Sequence, residues 1–275
     1  MTHLTMRRPT LLVTATLAIA LWARIMTLVC PSLLVLVLGA ERSTAEAFDH
    51  APLDQVLQQY VDDQGHVAYK RLAAHHRGAL DAYLGTLAAA EPAGWDTNAQ
   101  KAFWINAYNA GILDAVLQGY SAETFLNRAS LFKRFTFTVA GKARTLDEIE
   151  HGIIRPQFHD PRTHFALVCA SSSCPRLRRH AYTGATLDAA LDEEARRFIN
   201  DGKRNVVNPA ARAVQLSSIF QWFADDFIAA GSSVTAYVAR YVDSDAKRAL
   251  LDTKPTDLTY LDYDWTLNAQ NGERP

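Results

Sequence analysis

Cys169 and Cys174 stand five positions apart in the segment His164-Phe165-Ala166-Leu167-Val168-Cys169-Ala170-Ser171-Ser172-Ser173-Cys174-Pro175. The apolar residues ahead of Cys169 predict a short buried strand over 164–168. That strand would deliver a thiol into a loop of small residues rich in hydroxyls and backbone N–H groups. Segments of this kind often carry active-site groups. The thiolate is the reactive form, so Cys169 becomes a nucleophile if a nearby imidazole lowers its pKa. Two other readings stay open. Cys169 and Cys174 could close a small disulfide loop, worth about 2 kcal/mol on loop-entropy grounds. His151, His164, Cys169 and Cys174 could also bind zinc: the ligand types are right, but the spacing matches no standard finger.

Two further segments place polar groups in apolar surroundings. In Asp147-Glu148-Ile149-Glu150-His151-Gly152-Ile153-Ile154-Arg155, the isoleucines mark a buried helix face and His151 lies at its edge. A His flanked by carboxylates is a candidate general base with a raised pKa, and Glu150 would orient it. In Phe103-Trp104-Ile105-Asn106-Ala107-Tyr108-Asn109-Ala110, Asn106 and Asn109 are three apart and share a helix face. Buried amides need partners. They either pin a neighbouring loop or, for Asn106, polarise a substrate carbonyl.

The elements that must hold these groups are mostly helical. Leu53, Val56, Leu57, Tyr60 and Val61 recur at helical spacing. A turn and short strand follow over 65–69. Helices are expected over 72–90, 98–117, 186–200, 218–229 and 234–242. Phe135-Thr136-Phe137-Thr138-Val139 alternates before Gly141, which predicts a strand and hairpin turn. Thr145-Leu146-Asp147-Glu148 is a capping box opening a helix to about residue 155, where Pro156 should stop it. A last strand is expected over 258–263. This pattern predicts an α+β fold, a single helix-rich domain with a small, mostly antiparallel sheet.

Composition agrees with a globular domain: of 275 residues, 49% are hydrophobic and 21% charged. The apolar content is uneven. Arg7 and Arg8 precede apolar runs up to Leu38, and Ala45-Glu46-Ala47 forms an A-x-A cleavage site. Residues 1–47 thus read as a signal peptide cleaved before Phe48. Their length also allows a retained N-terminal membrane anchor, since the run reaches the roughly 20 residues that span a bilayer. Either reading puts residues 48–275 outside the cytoplasm, periplasmic or secreted, where disulfides persist. The first 47 residues hold four of the 28 basic and two of the 29 acidic residues, which leaves the remainder at −3. That balance argues against nucleic-acid binding. A small-molecule or peptide substrate is expected, with membrane contact only through an uncleaved N-terminus. No Gly-rich phosphate loop, G-x-S-x-G elbow, H-E-x-x-H or paired C-x-x-C is present, and no cofactor is expected.

Read together, these segments resemble the domain of unknown function 547 (DUF547) family. The resemblance rests on residues 103–110, 146–155, 160–169 and 173–175. It continues through Ser217-Ser218-Ile219-Phe220-Gln221-Trp222-Phe223, Asp225-Asp226-Phe227 and Tyr263-Asp264-Trp265-Thr266-Leu267-Asn268. It implies frequent export in bacteria but no established activity. It also implies that plant relatives keep a Cys matching Cys169 where a Ser matches Cys174, so a disulfide is not the general purpose of Cys169. Two functions follow as expectations. One is a thiol-dependent hydrolase or acyl-transfer enzyme with Cys169 as nucleophile and His151 or His164 as base. Glu150 would orient that base, and Asn106 with the loop amides would hold an oxyanion. The other is a non-catalytic periplasmic binding or scaffolding domain rigidified by a Cys169–Cys174 disulfide.

Overall fold

A computed structural model describes residues 48–253 and 257–275; the expected signal peptide or anchor at 1–47 lies outside them. Among the described residues, no helix is long and apolar enough to cross a membrane. The fold is the expected α+β arrangement, with two small sheets in place of one.

The first part of the chain packs α1 (Ala51–Tyr60), α2 (Tyr69–His75) and α3 (Arg77–Ala89) around the long α4 (Thr97–Leu117). The expected strand over 65–69 reduces to single bridges made by Val67. The side chain of Asp96 caps α4 by accepting from the N–H groups of Asn98 and Ala99 at 2.9 and 3.0 Å. Residues 101–116 of α4 are buried all round, as a helix in the middle of a core must be. Gly111 lets the aromatic ring of Phe137 approach: a Cβ there would sit 2.5 Å from that ring.

Helix α5 (Phe125–Lys133) leads into the hairpin of β1 (Thr136–Val139) and β2 (Lys142–Thr145). The capping box at Thr145 forms with both of its bonds and starts α6 (Leu146–Ile149). The helix does not stop at Pro156. A π turn, Glu150–Ile154, is followed by α7 (Arg155–Phe158). The wider turn has already abandoned the regular hydrogen-bond spacing, so Pro156 enters near the start of a new helical segment. Its missing N–H costs little there.

The expected strand over 164–168 is absent. Pro161–Phe165 forms a 3-10 helix, and an irregular buried segment runs on to Cys169. Helix α8 (Leu187–Asn200) precedes a three-stranded sheet of β3 (Val206–Asn208), β4 (Ala213–Ser217) and β5 (Asp257–Leu261). Strands β3 and β4 pair antiparallel, while β4 and β5 pair parallel. Between β4 and β5 lie α9 (Ile219–Trp222), α10 (Ala224–Gly231), α11 (Val234–Ala239) and α12 (Asp245–Asp252).

Two large apolar clusters result. One surrounds α4. The other gathers Phe165, Phe198, Phe220, Phe227 and Tyr237 under the second sheet.

Candidate active site

A cleft of about 430 Å³ opens where the two clusters meet. Cys169, Cys174, His151, His164 and Glu150 all line it. The structure therefore brings together every candidate of the sequence reading except Asn106.

The cysteine loop is held firmly. Asn109 on α4 accepts from the Val168 N–H at 3.1 Å and donates to the Ala166 carbonyl at 2.9 Å. That pair fixes the buried segment delivering Cys169. Beyond it, Ala170 adopts φ 58°, a left-handed conformation costing an alanine roughly 1 kcal/mol or more. Its surroundings enforce it: Ala170 is buried and its carbonyl accepts from the Asn268 N–H at 3.1 Å. The amides of Ser172 and Ser173 donate to the carbonyls of Thr266 and Asp264 at 2.8 and 3.1 Å. The Arg204 guanidinium donates to the carbonyls of Cys174 and Ser172 at 3.0 and 2.9 Å.

Cys169 and Cys174 are joined as a disulfide, with Cα atoms 6.1 Å apart. Cys169 is half-buried and Cys174 buried. The Cys169 sulfur also lies 2.9 Å from Ser171 Oγ and 3.2 Å from Tyr263 Oη.

Both imidazoles stack on Phe223, with ring centroids 4.0 Å (His164) and 6.2 Å (His151) from it. His164 is buried, and its Nε2 lies 2.7 Å from Asp226 Oδ2. Arg155 grips the same carboxylate with Nε and Nη2 at 2.7 and 3.0 Å. The His164 and Arg155 contacts hold the Asp226 carboxyl well below the ordinary carboxylate range. An ionised Asp226 accepts from Nε2–H, which leaves Nδ1 as the basic nitrogen of His164. Burial keeps the pKa of His164 below the usual imidazole value, and Asp226 opposes that shift. The imidazole is then neutral at pH 7 and able to take a proton.

His151 differs from the sequence expectation. Its pKa is lowered, chiefly by partial burial of the ring; Asp147 opposes this and Arg155 adds to it. Arg155 Nη1 donates to His151 Nδ1 at 2.9 Å, and the opposite nitrogen faces Asp147 at 3.8 Å. Glu150 does not orient it. The Glu150 carboxyl accepts a long bond from the Tyr108 hydroxyl, 3.4 Å, and burial pushes its pKa up to about 7. The carboxylate that orients an imidazole here is Asp226, 62 residues from His164. The one sequence signal for it was its place in the Asp225-Asp226-Phe227 motif.

Asn106 is placed away from the cleft. Its side chain donates to the Tyr182 carbonyl at 2.7 Å and accepts from the Tyr182 N–H at 3.0 Å, so it pins a loop and does not line the cleft. The zinc set does not assemble either: among the described residues, no group of three or more His, Cys, Asp and Glu side chains is arranged to hold a metal ion.

Aromatic residues form the mouth. Phe125 is 76% and Trp222 48% exposed. Trp222, Tyr263 and Trp265 pack on one another at 4.5–5.6 Å between centroids, and Arg128 covers Trp265 at 4.4 Å.

The fold and cleft define a helix-rich α+β domain that surrounds a cysteine pair with an Asp-bound imidazole and an aromatic rim. Residues 92–199 match the model of the family described as a protein of unknown function, DUF547. That stretch contains Glu150, His151, His164 and both cysteines, while Asp226 and Tyr263 fall beyond it. Comparison with curated proteins and with solved structures gave no match.

Proposed function

We propose that the cleft is the active site of a thiol-dependent hydrolase or acyl-transfer enzyme that works in its reduced state. One observation carries this reading: Cys169 and the Asp226-oriented His164 line the same cleft. Thiol, neutral imidazole and carboxylate are the three parts of a nucleophile–base–orienter set. An external dithiol opens the site. It is oxidised to its own disulfide while Cys169 and Cys174 each become thiols. His164 then takes the Cys169 proton. The thiolate attacks a carbonyl carbon, and the leaving group departs with the proton from His164. Water or a second acceptor releases the acyl group from Cys169. The rim of Phe125, Phe132, Trp222 and Trp265 suits an apolar group next to that carbonyl.

Export of the chain belongs to the same proposal, with the first 47 residues as the address and Phe48 as the new N-terminus. N-terminal sequencing of the protein recovered from outside the cytoplasm tests that part. The catalytic part is tested with p-nitrophenyl butyrate and iodoacetamide. The dithiol-treated protein should hydrolyse the ester and take up one fast-reacting label, and C169A should do neither. Equal ester turnover by C169A would refute the reading.

The bridge itself favours a second reading, a non-catalytic binding cleft whose loop the disulfide rigidifies. Under that reading the reduced thiols show no unusual reactivity and the aromatic rim alone engages the ligand.

A further inference from the structure

Asn106 and three of the loop amides expected to serve as oxyanion donors are committed elsewhere. Asn106 is held by the backbone of Tyr182. The amides of Ser172, Ser173 and Cys174 donate to Thr266, Asp264 and Ser171 carbonyls at 2.8–3.1 Å. The Cys169 N–H points to the Cys174 sulfur at 2.7 Å. A site that builds negative charge on a carbonyl oxygen needs a donor aimed at that oxygen. We propose that Tyr263 is that donor: its hydroxyl lies 3.2 Å from the Cys169 sulfur, inside the same cleft.

This inference rests on Cys169 being the nucleophile. As the C–S bond forms, the carbonyl π pair moves onto oxygen, which must sit within bonding reach of the same carbon. A hydroxyl next to the sulfur is therefore within reach of an oxyanion that forms on its side of the sulfur. Tyr263 donates a hydrogen bond and keeps its proton. When the intermediate collapses, the C=O re-forms, the leaving group takes its proton from His164 and an acyl-thioester remains on Cys169. Hydrolysis then repeats the same oxyanion and returns the thiol.

Two observations support the role. Burial pushes the Tyr263 phenol up, so it stays a donor throughout the ordinary pH range. Its ring packs against both Trp222 and Trp265, at 4.8 and 4.5 Å between centroids, so the hydroxyl does not need to be ordered at the moment of reaction. The differential effect is the important one. Charge sits on sulfur before attack and on oxygen after it, and the bond follows that transfer.

The test compares Y263F with the wild-type protein, both reduced by dithiothreitol. Phenylalanine keeps the ring packed against the two tryptophans. Two rates are measured. Turnover of p-nitrophenyl butyrate passes through an oxyanion; alkylation of Cys169 by iodoacetamide passes through none. Y263F should lower kcat by about 10²–10³-fold, the range for loss of one oxyanion donor, with KM and the alkylation rate within about threefold of wild type. A kcat within threefold of wild type overturns the assignment while leaving Cys169 as nucleophile. A parallel fall of alkylation and turnover also overturns it, because Tyr263 would then serve the thiolate. If the reduced wild-type protein shows no turnover that C169A removes, the underlying reading and this inference fall together.

Discussion

Asp226 governs what His164 can do. Its carboxylate holds Nε2 and so selects the tautomer with a basic Nδ1. D226N keeps the shape but can present its amide N–H to the ring, which favours the wrong tautomer. D226N should therefore lower ester turnover by about 10³-fold or more while leaving KM near wild type. A fall of less than tenfold would mean that His164 needs no partner. Glu150 gives a second prediction, read from pH. Its folded pKa is about 7 against an ordinary 4.5, with burial the main cause. Between those pH values the unfolded chain has lost the proton that the folded chain keeps. The contribution of Glu150 to stability thus falls as pH rises through this window, and is level above it. E150Q removes that loss, so its stability relative to wild type should climb from about pH 5 to about pH 7 in urea titrations. A difference independent of pH would show that Glu150 ionises normally. His50 acts in the opposite sense. Burial lowers its pKa to about 4, so its contribution is lost as pH falls below 6.5.

Helix α4 is the element that positions the nucleophile. Asn106 and Asn109 share a face but hold different segments: residue 182 in one case, residues 166 and 168 in the other. Either alanine substitution strands two buried backbone groups, which should cost about 2–4 kcal/mol. The two should differ in function. N109A should also slow Cys169 alkylation and turnover, because it frees the segment that delivers the thiol; N106A should leave both near wild type in the folded protein. Turnover lost in N106A at full folding would restore it to the catalytic set. Much of this element was legible in sequence. The 3.6-residue period marked α1, α4 and α8, and the capping box marked the start of α6. The apolar run at 164–168 misled, because a short buried run looks the same in a strand and in an irregular buried segment. Helix α5 was missed because Phe125 and Leu126 face outward, leaving no amphipathic period. The cysteine loop and both histidines could be picked out by residue type. Their partners could not: Asp226 and Tyr263 reach the site from 62 and 94 residues away, and only the fold makes those neighbours.

At the scale of the molecule, the cleft is a seam between two apolar clusters, crossed by the bidentate Arg155–Asp226 pair. The redox state of the cysteines acts on this seam locally. The bridge closes a loop with a sequence separation of only 5, so its loss costs about 2 kcal/mol by chain entropy. The loop does not depend on it for shape. Asn109, Asn268, Arg204 and the 264–266 backbone hold residues 166–174 whether or not the sulfurs are joined. Reduction, or C174S, should therefore lower the melting temperature by roughly 4–8 °C for a domain of this size and leave the far-UV circular dichroism unchanged. At the same time it should expose Cys169 to iodoacetamide. C174S carries the argument further than reduction does, because it frees Cys169 permanently and needs no dithiol. If turnover depends on a free Cys169 thiol, C174S should turn over the ester without reductant. A melting curve that collapses on reduction would instead make the bridge a structural staple, and would favour the binding-cleft reading over the enzymatic one.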